Sequence, residues 1–328
     1  MLLRLAAVWP LLLLQPFHAA CGMPEDIVPL TAARVTFSGT PILDRQGQVL
    51  GVTIPLKRAG RLLLLEGTLD NHTGNFVLDT GASGLVLNTT YFRNAIPARD
   101  EEGGGVTGST GIAMKLTVRK LAISDLVYDN VPADVIPLGH LESRRGVKIL
   151  GLFGMSLLKN VEMVIDVRKN ELQVFRLNKA GDRLLPTPEK ITYDIIQKIE
   201  VVRQVMFVQG TIGGRILDFC IDTGAESNVL DIRANKKVLD KITITRRSEL
   251  SGAGTGRGEV LYGTITDFSL GGRPLVPMET IVCSLDAMSQ KYGCPIDGML
   301  GFDFFMKGKV CINLVKKVMY VSINREGA

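Results

Sequence analysis

The sequence predicts an all-β protein built of two related halves, and three observations carry that prediction. First, residues 75–88 read NFVLDTGASGLVLN and residues 218–231 read DFCIDTGAESNVLD, an internal duplication offset by 222 − 79 = 143 residues. Phe76 matches Phe219, Val86 matches Val229 and Leu87 matches Leu230 at the same spacing from the aspartate, so the register extends beyond the shared tetrapeptide. Second, short apolar runs bounded by turn residues recur through both copies, as strands require. Third, 35 glycines against one tryptophan in 328 residues point to many tight turns.

In chain order, residues 1–20 resemble an export signal. Arg4 supplies a positive start, Leu11 to Leu14 an apolar stretch, and Ala19 and Ala20 a small-residue end. Pro10, Gln15 and Pro16 interrupt the apolar run, which makes it a poor permanent membrane span. Cys21 follows directly, an arrangement resembling the lipidation site of bacterial lipoproteins, although His18 stands where that pattern prefers an aliphatic residue. Lipidation at Cys21 and plain cleavage near it are both open. Residues 21–54 lie outside the duplication and read as a tether with one or two added strands; a propeptide is the alternative.

The first half is expected over 55–180, with strands at Leu62–Leu69, Phe76–Leu78, Met114–Ile123 and a hairpin over Val161–Phe175. The second is expected over 181–328, with counterparts at Val205–Ile212, Arg215–Ile221, Glu259–Leu270 and Val310–Ile323. Short helices are expected at Thr90–Ala95, Gly154–Leu158, Arg233–Asp240 and Phe302–Met306. ILGLFGM (149–155) and GMLGFDFF (298–305) form a second matched pair, in which Gly151 and Gly301 are read as equivalent structural glycines. The polar, Pro-containing run 179–190 is the expected joint.

Several function classes are disfavoured. The formal charge is +5 with Lys and Arg scattered, so the basic stripe of a nucleic-acid binder is missing. Cys220, Cys283, Cys294 and Cys311 lack the spacing of a zinc site, and three histidines do not supply one. In an exported chain four cysteines permit disulfides; free thiols packed as small hydrophobes are equally open. Asn71 and Asn88 match the glycosylation pattern, which carries no meaning in a bacterium.

The chemistry concentrates on Asp79 and Asp222. Each follows an apolar strand and precedes Thr-Gly-Ala, so each carboxylate is presented where a strand ends and turns. Gly81 and Gly224 allow a tight turn, and the hydroxyls of Thr80 and Thr223 can bond across a symmetric junction. One such tripeptide is weak; two at matching places in a repeat are not. Two carboxylates held close cannot both ionise cheaply and share a proton. The ionised one can then act as base toward a water while the protonated one donates to a carbonyl oxygen.

This pattern of apolar–Asp-Thr-Gly-Ala, a Gly-rich segment, then two apolar residues and Gly resembles the retropepsin and pepsin superfamily over nearly all of 55–325, most closely the retropepsin-like proteases of bacteria. The resemblance implies a bilobal acid-protease fold, two pseudo-twofold-related β-barrel-like halves with short helices. It also implies an aspartic endopeptidase with catalytic Asp79 and Asp222, and an active-site loop of Thr80, Gly81, Ala82, Thr223, Gly224 and Ala225. No cofactor or metal is expected. The expected partner is a peptide or protein substrate, with no nucleic acid, a possible membrane tether through a lipid on Cys21, and activity as a monomer in the periplasm or envelope. Ala82 and Ala225 stand where pepsins usually carry a hydroxyl that stabilises the ionised dyad, so a mildly acidic optimum is expected. EEGGGVTGSTG (101–111) and SGAGTGRG (251–258) are the implied flaps, with Gly104, Gly105, Gly252 and Gly254 as substrate-contacting positions. Glu226 is either a substrate contact, as its retroviral counterpart would be, or a surface glutamate. A catalytically inactive peptide-binding envelope protein is the alternative function.

Overall fold

The computed structural model describes residues 36–37, 41–43, 49–105, 108–124, 126–143, 145–184, 192–251, 257–275 and 277–324. The expected signal, Cys21, Gly252 and Gly254 lie outside the described residues. Strands Leu62–Leu69, Val205–Ile212 and Arg215–Ile221 occupy their expected spans. The leading strands of the halves even share a burial rhythm, four buried residues followed by alternation, because their first turns pack on both faces.

In the first half six strands close on themselves. Leu126–Ile136 pairs with Leu85–Asn88, then Ile149–Phe153, His72–Leu78, Leu62–Leu69 and Gly108–Ile123, which returns to Leu126–Ile136. Closure removes free edges. The second half repeats the order with Met278–Cys283, Asn228–Asp231, Gly298–Leu300, Arg215–Ile221 and Val205–Ile212. Here the expected strand Glu259–Leu270 is broken into Arg257–Ile265 and Phe268–Leu270. At the break the Asp267 carboxylate accepts from Gly213 N–H and Thr266 N–H donates to Lys241, which turns the backbone out of the ladder.

A third, antiparallel sheet of seven strands joins the halves, in the order Ile195–Lys198, Val318–Ile323, Gly308–Asn313, Val161–Asp166, Glu171–Arg176, Val49–Pro55 and Pro41–Leu43. At its middle one hairpin from each half meets, Glu162 opposite Asn313 and Val164 opposite Cys311. Among its described residues the added N-terminal segment contributes three strands rather than one or two, since Thr36–Phe37 also pairs with Leu126–Ile136. One apolar core runs through both halves and this sheet, from Val52 and Leu63 through Met163 to Phe219 and Ile312.

The helices differ most from expectation. Thr90–Ala95 is not helical: Asn88 turns the chain once, accepting Thr90 N–H on its side chain and Tyr91 and Phe92 N–H on its carbonyl. Pro97 close behind disfavours helix in the residue before it. The second half keeps one turn of helix there, Lys236–Leu239, capped by the Asn235 side chain. Gly154–Leu158 reduces to a single 3-10 turn at Met155–Leu158, and Phe302–Phe305 is helical. Helices Gly139–Ser143 and Asp286–Tyr292 were unexpected.

Candidate active site

Each aspartate sits at the end of its strand, where its N–H donates to the strand of the second repeat motif: Asp79 to Phe153 at 3.1 Å and Asp222 to Leu300 at 3.0 Å. The chain then turns back on the carboxylate. Asp79 Oδ1 accepts from Gly81 N at 2.9 Å and Ala82 N at 3.0 Å, and Asp222 Oδ1 accepts from Gly224 N at 2.8 Å.

The two loops lock together through their threonines. Thr80 Oγ1 donates to Ile221 O and accepts from Thr223 N, both at 3.0 Å. Thr223 Oγ1 donates to Leu78 O at 2.8 Å and accepts from Thr80 N at 3.0 Å. Each hydroxyl thus donates once and accepts once across the junction, which leaves neither buried group without a partner.

The glycines explain how close the loops come. A Cβ on Gly81 would lie 2.8 Å from the Asp222 carboxyl carbon, and one on Gly224 would lie 2.7 Å from that of Asp79. Only a residue without a side chain permits both approaches. The later glycines seat the loops from below. A Cβ on Gly154 would meet Gly84 O at 2.3 Å, and one on Gly301 would meet Ser227 O at 2.5 Å. This corrects the repeat: Gly301 corresponds to Gly154 (301 − 154 = 147), and Gly151 to Gly298 (298 − 151 = 147). Gly151 instead faces Val86 O, where a Cβ would sit 2.0 Å away.

Both aspartates are buried, Asp79 at 0% and Asp222 at 1% exposure. Each keeps one oxygen, Oδ2, that no protein group hydrogen-bonds. Burial drives the Asp79 carboxyl well above the ordinary carboxylate range, and the neighbouring Asp222 charge adds to the rise. Burial also lifts Asp222, to about 6, against the stabilising N–H of Gly224. Two negative charges about 4 Å apart repel by roughly 4 kcal/mol at an effective dielectric of 20. The pair therefore holds a proton under conditions where isolated carboxyls have lost theirs.

Glu226 is not a surface residue. It is 4% exposed, its carboxylate pairs with the buried Arg145 of the other half, and its carbonyl accepts from Arg61 at 3.2 Å. Arg61 also pairs with Asp303 at 2.8 Å. Burial raises the Glu226 carboxyl despite these arginines. None of Arg61, Arg145 and Asp303 stood out in the sequence. Their partners are distant along the chain, 81 residues for Arg145 with Glu226 and 242 for Arg61 with Asp303, and no local pattern marks them.

Gly104 and Gly105 lie on the strand Ile96–Gly105, paired to Gly108–Ile123 as a hairpin. Its counterpart pairs Ile242–Ser251 with Arg257–Ile265. Asn88 is fully buried, bonded to Glu142, Ile149 O and Leu138 N. All four described cysteines are free thiols.

The sequence model of the aspartyl protease family matches residues 65–157 and 208–304, one segment around each aspartate. Among solved structures, an aspartic proteinase from Irpex lacteus is 11% identical, with a TM-score of 0.48, over 84% of this chain and 97% of that one. Basic 7S globulin from soybean is 12% identical, with a TM-score of 0.47, over 83% and 95%. A retropepsin-like aspartic protease from Rickettsia conorii is 22% identical, with a TM-score of 0.26, over 38% and 88%. No curated protein matches the sequence. The two matched segments span more than half of the chain and each contains one of the paired aspartates: the chain belongs to the aspartyl protease family.

Proposed function

We propose that this chain is an aspartic endopeptidase whose catalytic dyad is Asp79 and Asp222, complete within a single chain. The observation that carries the reading is the pair of buried carboxyls, clamped by reciprocal threonine bonds, each with an unpartnered Oδ2. Those oxygens are the groups free to engage a water and a substrate carbonyl. The ionised member takes a proton from the water as its oxygen bonds to the scissile carbonyl carbon. The protonated member donates to the carbonyl oxygen, giving a tetrahedral diol. Collapse of the diol breaks the C–N bond, with the proton passing to the leaving nitrogen.

The loop amides favour negative charge on both Oδ1 atoms, while the alanines after each glycine offer no side-chain donor. With burial lifting Asp222 to about 6 and holding Asp79 well above the ordinary carboxylate range, the pair keeps a shared proton in mildly acidic solution. A rate profile peaking below about pH 3 contradicts this. We also propose that the two Gly-rich hairpins close over the substrate, that the chain is exported to the periplasm or envelope with Cys21 as a candidate lipid anchor, and that a peptide or protein is its partner.

The test is cleavage of a mixed peptide library from pH 3 to 8 by wild type, Asp79→Asn and Asp222→Asn. Cleavage by wild type alone supports the peptidase. A wild type inert at every pH moves the assignment to a peptide-binding protein that uses the same cleft.

A further inference from the structure

The halves treat one equivalent niche in opposite ways, the place where the short helix meets the strand after the active-site loop. In the first half, with helix Gly139–Ser143, the niche is filled. The Glu142 carboxylate accepts from Ile149 N at 2.8 Å, from the Asn88 amide at 3.1 Å and from the Tyr91 hydroxyl at 2.5 Å. The Lys148 ammonium lies 4.9 Å from the centre of the Tyr91 ring.

The second half, with helix Asp286–Tyr292, keeps the backbone of the niche and loses its filling. Ile296 N donates to Ser289 Oγ at 3.1 Å, as Ile149 N does to Glu142 (296 − 149 = 147; 289 − 142 = 147). Arg233 N donates to the Asp231 carboxylate at 2.8 Å, as Thr90 N does to the Asn88 side chain at 3.2 Å (233 − 90 = 143; 231 − 88 = 143). Those shared bonds fix the correspondence. Tyr91 is therefore matched by Ala234, Glu142 by Ser289 and Lys148 by Pro295 (234 − 91 = 143; 295 − 148 = 147). A pocket of about 530 Å³ stands there, with Ala234, Ser289, Pro295 and Ile296 in its wall.

We propose that this pocket is a binding site for a small arylalkylamine, separate from the dyad. The exchange of side chains supplies the shape. The first half fills the niche with an aromatic ring and an ammonium, and the second half leaves room for both. The volume lies in the range of small-molecule sites, and Ala234, Pro295 and Ile296 offer a ring the apolar contact such sites provide.

Charge selects the sign of the ligand. Asp231, Asp286 and Asp297 line the pocket against one guanidinium, that of Arg233. Arg233 is already engaged, bonded to Asp231 Oδ2 at 2.6 Å and paired with Asp286. Asp297 Oδ2 accepts a neutral donor, Asp218 N–H, at 2.9 Å. The excess of carboxylates attracts an ammonium and repels an anion.

The test is titration of the purified full chain with phenethylamine, read by calorimetry and by the backbone amide NMR signals of residues 231–234 and 289–297. Saturable binding with a Kd of about 1 mM or tighter is expected, with the shifts confined to those segments. Hydrocinnamate, with a carboxylate in place of the ammonium, should bind at least about tenfold more weakly. Butylamine, which lacks the ring, should do the same. Asp286→Asn removes a carboxylate from the exposed rim and should weaken phenethylamine roughly threefold.

The paired change Ala234→Tyr and Ser289→Glu rebuilds the filling of the first half. It adds negative charge, yet it should weaken the amine at least about tenfold without lowering the melting temperature. Should the paired change unfold the chain, Ala234→Phe alone fills the place of the ring and carries the same expectation. Undiminished binding in the filled variant, hydrocinnamate binding as tightly as phenethylamine, or no saturable binding of the amine would overturn the proposal. No readout here depends on cleavage at the dyad, so the result stands apart from the peptidase assignment.

Discussion

The two corners where the halves meet beside the dyad are built from equivalent positions and different chemistry. In one, Glu226 and Asp303 of the second half face Arg145 and Arg61 of the first; the Glu226–Arg145 pair is buried and the Arg61–Asp303 pair half-exposed. In the other, the equivalent positions carry Ser83 and Ser156 in the first half, with Gln204 and Tyr292 in the second (226 − 83 = 143; 303 − 156 = 147; 204 − 61 = 143; 292 − 145 = 147). Between the corners the threonine clamp is symmetric to within a few tenths of an ångström. The duplication has kept symmetry where the carboxyls must meet and relaxed it at the rim. One corner holds the halves together by charge, and the other is left neutral.

The symmetric part should break symmetrically, and with the largest effect. Asp79→Asn and Asp222→Asn are each expected to lower kcat by about 10³-fold or more, by similar factors, since either change removes the shared proton relay. A tenfold difference between them, read by peptide-cleavage assays, would show that the halves do not share one site.

The corners should break unequally. Glu226→Gln leaves Arg145 buried without a counter-charge and is expected to destabilise by about 3–5 kcal/mol. Ser83→Ala at the equivalent place should cost under about 1 kcal/mol. Urea unfolding of the two variants measures the difference, and equal losses would dissolve the distinction between the corners.

The dyad is expected to weaken the fold. For a carboxyl whose folded pKa is raised, stability is full below the unfolded value near 4 and is lost as pH rises through the folded value. With Asp222 at about 6, Asp222→Asn should stabilise the protein by roughly 3 kcal/mol at pH 7 and by little at pH 4. Melting curves at both pH values test this, and a gain confined to pH 4 would reverse the sign. The clamp should break evenly: Thr80→Val and Thr223→Val should each cost about 1–3 kcal/mol, matched to each other in urea unfolding.

Much of this was legible before the structure. The duplication located both aspartates and both loop glycines, because a close carboxyl pair tolerates only Gly at Gly81 and Gly224. Strands such as Leu62–Leu69 and Arg215–Ile221 announced themselves by apolar runs between turns. Helices Gly139–Ser143 and Asp286–Tyr292 did not: at five and seven residues they are too short for a periodicity to register. The equivalence of Gly154 with Gly301 was missed because the second half is four residues longer between its aspartate and this glycine (147 − 143 = 4), so matching by motif alone slipped to Gly151. The pairing of Glu226 with Arg145 spans 81 residues and two halves, and no local pattern encodes such a contact.

The central claim, that one chain supplies both halves of one site, is tested most directly by mixing. Asp79→Asn and Asp222→Asn are unfolded together in equal amounts, refolded and assayed beside wild type treated identically. The account predicts an inactive mixture beside a wild type whose specific activity does not depend on concentration. Recovered cleavage in the mixture would mean that aspartates from different chains meet, and would contradict it.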